Sequence, residues 1–176
     1  SERGFINTSL AMQSMGGSGY TQDWEVEQYL RDVRISMIYE GTNAIQALDL
    51  VGRKLPAHGG QALRDLLAEM SSAAESVDGW LQEGMHRAIG HTQEATQWLM
   101  EHALTDPEQA GAVSSYFLNI MGYTLLMYMW VKISKTEHDR ETARFYVEHI
   151  LPNCAAELAK LQAGKTAMIA LDVEAF

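Results

Sequence analysis

Glu40 is the side chain whose setting most suggests chemistry. It lies in the stretch Ile35-Ser36-Met37-Ile38-Tyr39-Glu40-Gly41-Thr42-Asn43-Ala44-Ile45-Gln46, at the end of one helical pattern and just before the next. Ahead of it Val26, Leu30, Val33 and Met37 recur at helical spacing; after it Ile45, Leu48, Val51 and Leu55 resume a similar period. Gly41 permits backbone angles closed to other residues, and Thr42 is a good N-cap for the second helix. A carboxylate in a tight joint between two helices is aimed by a rigid backbone, which is how a general base is positioned. A solvated loop carboxylate is the simpler alternative, and spacing alone favours it.

Other candidates give less. His91 and Glu94 share a helix face, but a carboxylate-bridged metal pair needs a second such motif and two more carboxylates on facing helices. The sequence offers no such set, so no metal site is expected, and His86, His91, His102, His138 and His149 read as ordinary surface or half-buried residues. Cys154 falls in an apolar-periodic segment and reads as a core thiol rather than a nucleophile. Gly164-Lys165-Thr166 resembles the end of a phosphate loop, but Ala159 stands where the first glycine should be and a helix precedes it. Gly16, Gly17 and Gly19 make no dinucleotide fingerprint, because no strand precedes them and no glycine completes the spacing.

The elements that must position these residues all read as helices. Residues 8–15 form the end of a helix that Gly16-Gly17 stops. A complete helix is expected over 24–38, with Arg31, Asp32 and Arg34 off its apolar face as an ion-pair network fixing the joint. Pro56-Ala57-His58-Gly59-Gly60 is the clearest linker and divides the chain into a domain over 1–55 and another over 61–176. In the second, Leu63, Leu67, Met70, Ala74, Val77 and Leu81 predict one amphipathic helix ended by Gly84, followed by a more polar helix over 85–104. Asp106-Pro107-Glu108 is a strong helix start. The helix it opens, over 107–136, is apolar enough to raise a membrane span. Asn119, Gly122, Thr124 and the tyrosines favour a bundle centre instead, and no span is expected. A last helix over 139–162 should kink or restart at His149–Pro152, and the tail 167–176 is a short segment that could dock on the core. The fold class is therefore all-α: a helical hairpin, then an up-down bundle of about four helices.

Composition sets outer limits. In 176 residues, 13 Lys and Arg against 23 Asp and Glu give a net charge of −10. Phosphate attraction needs clustered basic charge, so a nucleic-acid partner is not expected. The single cysteine rules out an internal disulfide and fits a reducing cytoplasm. The opening Ser1-Glu2-Arg3-Gly4 shows no signal-peptide pattern and reads as a cut into a longer protein.

Three runs carry a resemblance. They are Gln13-Ser14-Met15-Gly16-Gly17-Ser18-Gly19-Tyr20, Tyr29-Leu30-Arg31-Asp32-Val33-Arg34-Ile35 and Ile38-Tyr39-Glu40-Gly41-Thr42-Asn43. In this order and spacing they resemble the C-terminal signature of the acyl-CoA dehydrogenase family. Residues after Leu55 resemble the extra C-terminal helical domain of a long subgroup that includes the 3-methylmercaptopropionyl-CoA dehydrogenases. The resemblance implies that the hairpin is what remains here of the family's C-terminal domain. It implies an FAD-dependent enzyme converting an acyl-CoA to the trans-2-enoyl-CoA, with Glu40 taking the α-proton and the flavin taking hydride from the β-carbon. The backbone amide of Glu40 would donate to the thioester oxygen, and Gly41 would let the acyl chain approach. Gln13, Gly16, Gly17, Thr42 and Ala44 fall on positions that contact FAD in relatives, the first three reaching flavin held by a neighbouring subunit. Many relatives carry a longer polar residue where Ala44 stands, so only its backbone could serve. A homo-oligomer follows, as does an electron-transfer flavoprotein as electron acceptor. The alternatives are an oxygen-using acyl-CoA oxidase relative and a non-catalytic helical interaction module over 61–176.

Overall fold

A computed structural model describes residues 1–77, 79–134 and 136–170. Every regular element among the described residues is helical. The chain divides into two compact units, Ser1–Gln46 and Ala47–Phe176.

The first unit is an antiparallel hairpin of α1 (Glu2–Ser14) and α2 (Val26–Ile35), joined by short 3₁₀ turns at Gly16–Tyr20 and Gln22–Trp24. A Cβ on Gly4 would stand 2.9 Å from Val33 Cγ2, so glycine is what lets the start of α1 approach the end of α2. The helix expected over 24–38 is shorter than its apolar period. Glu25 adopts φ 56°, which delays the start to Val26. Beyond Ile35 the amides of Ser36, Met37 and Ile38 bond carbonyls only three residues back, and Ser36 Oγ donates to Val33 O at 2.6 Å. A side-chain donor competing with the ladder tightens the last turn and ends the helix there. No residue of α1 or α2 is buried, and Leu10, Trp24, Tyr29 and Ile35 stand exposed.

From the joint α3 (Asn43–Asp49) continues as a π-turn over Leu50–Lys54, closed by Leu55 N donating to Leu50 O at 2.8 Å. The second unit then builds α4 (Gln61–Ala74), α5 (Gly79–His102), α6 (Pro107–Ile133), α7 (Glu137–Phe145) and α8 (Asn153–Ala163). The core centres on Phe117, Ile120 and Met127 of α6, packed with Met70 of α4, Leu81, Met85 and Leu99 of α5, and Leu161 of α8. Alpha-6 is apolar almost all round: one side supplies the centre of the core, while Leu125, Leu126, Met129 and Ile133 stand exposed on another. Among the described residues no helix is long and apolar enough to cross a membrane.

Alpha-6 starts where expected: Asp106 Oδ1 accepts from Gln109 N at 3.0 Å, with Pro107 next. The expected helix ending at Gly84 is not formed. Alpha-4 stops at Ala74, Gly79 takes φ 56°, and Gly84 is buried inside α5. A Cβ there would meet Met127 Cε and Val147 Cγ2 at 3.2 Å, so this glycine serves helix packing, not helix ending. Before Pro152 the chain leaves α7 through a π-turn over Tyr146–Ile150 and restarts at Asn153, which is the interruption the proline predicts. Of the tail over 167–176, residues 171–176 lie outside the described residues.

An apolar groove of about 1220 Å³ runs along α4 and the α5–α6 corner, with Val51, Leu55, Leu63, Leu67, Met100 and Leu104 among its walls.

Candidate active site

Glu40 sits in the joint after α2 with φ 53°, and Gly41 follows at φ 87°. Two residues of positive φ in a row separate α2 from α3. For Glu40 that conformation is uncommon, since its Cβ crowds the carbonyl, and such positions concentrate at functional sites. Thr42 caps α3 weakly through its hydroxyl, which accepts from Ile45 N at 3.4 Å, while its carbonyl accepts from Gln46 N at 3.0 Å. The Gln46 side chain reaches back so that Nε2 donates to the Glu40 carbonyl at 3.0 Å. The start of α1 is tied to the same place by Ser1 Oγ donating to Asn43 Oδ1 at 2.8 Å.

Glu40, Gly41, Thr42 and Ala44 are all exposed. Ile38 and Tyr39, the apolar residues just before Glu40, are themselves 50% and 53% exposed. Among the described residues nothing shields the carboxylate.

Gln13, Gly16 and Gly17 lie elsewhere. Gln13 is in the last turn of α1, and Gly16 opens the next turn at φ 61°. Because α1 begins beside Asn43, twelve residues of helix at 1.5 Å each place Gln13 roughly 18 Å along the axis from the joint. The two groups of residues therefore occupy opposite ends of the hairpin.

At the Gln13 end the residues have the chemical kind that a flavin nucleotide would need. A Cβ on Gly16 or Gly17 would meet nothing within 4 Å, so neither glycine is needed for packing inside the hairpin. Both leave their backbone open to close approach by a pyrophosphate. The Gln13 amide is exposed beside them and supplies neutral donors and an acceptor.

Arg31 and Asp32 share one network through Gln28, which accepts from Arg31 Nη2 and donates to Asp32, and Arg34 stands apart from it. Arg31 pairs with Glu27 at 3.1 Å, Asp32 accepts from Gln28 Nε2 at 2.6 Å, and Arg34 stacks 5.4 Å over Phe5. These are contacts within the hairpin, set by helical spacing and by the helix-to-helix approach.

In the second unit Cys154, Glu94 and Lys165 have structural settings of their own, and His91 does not have a full set of partners. Burial pushes the Cys154 thiol up to about 11, as expected of a core residue. Glu94 accepts from Gln162 Nε2 at 2.7 Å. His91 Nδ1 is buried without a hydrogen-bond partner among the described residues. Lys165 is bonded to Asp106 and Glu108 at the start of α6. Gln46 is the contributor to the joint that pattern reading missed; its only sequence signal is a long amide one turn after a cap.

Residues 1–56 match the family model described as acyl-CoA dehydrogenase, C-terminal domain. Residues 55–172 match the model described as acetyl-CoA dehydrogenase C-terminal like. The chain is 36% identical over 120 residues to a broad-specificity linear acyl-CoA dehydrogenase of Mycobacterium tuberculosis, covering 67% of this chain and 18% of the relative. It is 32% identical over 182 residues to a 3-methylmercaptopropionyl-CoA dehydrogenase of Ruegeria pomeroyi, covering 91% and 31%. A butyryl-CoA dehydrogenase of Syntrophomonas wolfei is 24% identical over 198 residues, covering 100% and 32%. The chain thus spans less than a third of the length of these curated relatives.

Proposed function

This chain belongs to the acyl-CoA dehydrogenase family, and on that premise we propose that it carries the catalytic base of an FAD-dependent acyl-CoA dehydrogenase. The substrate is an acyl-CoA thioester and the product its trans-2-enoyl-CoA. Glu40 accepts the α-proton as the carbon–carbon double bond forms. Bound FAD supplies the acceptor for the β-hydride. The Glu40 amide donates to the thioester oxygen, where negative charge develops as the proton leaves. Gly41, with no side chain, leaves room for the acyl chain beside that amide. Thr42 and the Ala44 backbone lie at the start of α3, where they would contact the cofactor.

The observation that carries this reading is the left-handed backbone of Glu40, held in a joint whose sequence resembles the family's base motif. The placement of Gln13, Gly16 and Gly17 at the far end of the hairpin supports a flavin shared between subunits of a homo-oligomer. An electron-transfer flavoprotein is the acceptor this reading implies. For the helices from α4 onward the proposal is a packing role, since their buried polar groups are largely satisfied within the bundle.

The test is anaerobic flavin bleaching by a panel of saturated acyl-CoAs, comparing wild type with Glu40→Gln in the full protein. Glutamine keeps the shape and removes the base. A variant that holds flavin but does not bleach supports the assignment, and the most responsive acyl-CoA names the substrate class. A variant that bleaches at the wild-type rate removes Glu40 from the mechanism.

A further inference from the structure

Glu40 and Gly41 leave the helical region together, and the Glu40 carbonyl turns away from any ladder that could hold it. One side chain takes that carbonyl. Gln46, one turn into α3, donates from Nε2 at 3.0 Å, bridging six residues across the joint. Gly41 is what makes the reach possible, because a Cβ there would stand 3.1 Å from the same Nε2 and 3.3 Å from Ile45 Cγ2. The amide, the glycine and the two left-handed residues thus form one local arrangement.

We propose that Gln46 is a positioning residue for Glu40: its amide fixes the peptide between Glu40 and Gly41, and through the Glu40 Cα restrains the carboxylate and the Glu40 N–H, which belongs to the preceding peptide and is offered to a thioester. The inference rests on Glu40 being the base. Gln46 touches no reacting atom and acts only through the carbonyl it holds. Small misplacement of a catalytic group is costly, so loss of this bond lowers turnover more than substrate binding.

Two variants of the full protein test this. Gln46→Met keeps length and helix preference but has no donor; Gln46→Lys keeps a long donor. Amide hydrogen exchange over residues 38–44 reads the joint without reference to activity, and kcat and KM read its consequence. The expected result for Gln46→Met is roughly tenfold faster exchange in the joint with α5 and α6 unchanged. Its kcat falls about tenfold with KM within about twofold, and Gln46→Lys recovers most of both. Wild-type exchange in Gln46→Met overturns the proposal, as does faster exchange with unchanged kcat, or a Lys variant as poor as the Met variant. Failure of the base assignment shows separately, as full activity in Glu40→Gln. Positioning then fails with it, while the exchange data still report whether the bond holds the joint.

Discussion

Thr92 and Thr124 share a 2.8 Å hydrogen bond between α5 and α6, and neither side chain reaches solvent. Both hydroxyls also lie within bonding distance of the Ala88 carbonyl, at 3.0 and 3.2 Å. Two polar groups thus satisfy each other in the middle of an apolar bundle, fixing the register of its two longest helices. Thr124→Val is expected to destabilise the protein by about 1–3 kcal/mol, because Thr92 loses its side-chain partner. Thr92→Val together with Thr124→Val should cost less than the sum of the single changes, since both remove one shared bond. Urea unfolding of the single and double variants measures this coupling.

Two glycines of α5 should respond oppositely to the same change. At Gly84 an added Cβ meets Met127 and Val147 at 3.2 Å, and these neighbours are core residues with little room to move. Gly84→Ala is expected to destabilise by about 1–3 kcal/mol through overpacking. Gly90 is exposed on the same helix with nothing within 4 Å of its Cβ position. Gly90→Ala should stabilise by up to about 1 kcal/mol from helix preference alone. Thermal melting of both variants beside wild type checks the contrast.

The same pair shows where sequence reading stops. The helix start at Asp106-Pro107 and the interruption at Pro152 were legible because each depends on local chemistry, a cap and a missing N–H. The break after Ala74 was not, because apolar residues keep helical spacing through Val77 and Leu81 although Val77 lies in the turn between α4 and α5 and Leu81 lies in α5. Gly84 looked like a stop for want of its neighbours, which come from positions 127 and 147. At the joint, Gly41 announced an unusual backbone, whereas the left-handed Glu40 did not, since nothing in a glutamate predicts it. Gln46 was silent for a similar reason: its role is one hydrogen bond across a turn, visible only in coordinates.

The start of α6 should be sensitive to acid. Lys165 Nζ lies 2.6 Å from Asp106 Oδ2, and Asp106 also caps the helix. The Lys165 ammonium, then the Gln109 amide, hold the Asp106 carboxyl below its usual range. The unfolded chain therefore takes up this proton first as pH falls. The contribution of Asp106 is fully present above its unfolded pKa of about 3.9 and is lost as pH drops through the lower folded value. Lys165 is held upward by the same carboxylate and by Glu108, so its contribution is lost only as pH rises beyond about 10.4. Asp106→Asn should melt below wild type near neutral pH, and the gap should begin to narrow as pH falls below about 3.9 and vanish only below the lower folded value. A gap independent of pH would mean that the pair does not titrate with folding.

Gly41 is the position where backbone and side-chain requirements coincide. Its φ of 87° is strained for any residue with a Cβ, at a cost of about 1–2 kcal/mol. An alanine methyl would also press on Gln46 Nε2 at 3.1 Å and Ile45 Cγ2 at 3.3 Å, so the amide that holds the Glu40 carbonyl must withdraw. Both effects act on the joint and leave the core from α4 to α8 untouched. Gly41→Ala is accordingly expected to lower turnover about tenfold or more, with hydrogen exchange raised over residues 38–44 and unchanged in α5 and α6. Pairing it with Gln46→Met separates the two causes. If the lost carbonyl bond dominates, the double variant is little worse than either single one; if backbone strain dominates, the two losses multiply.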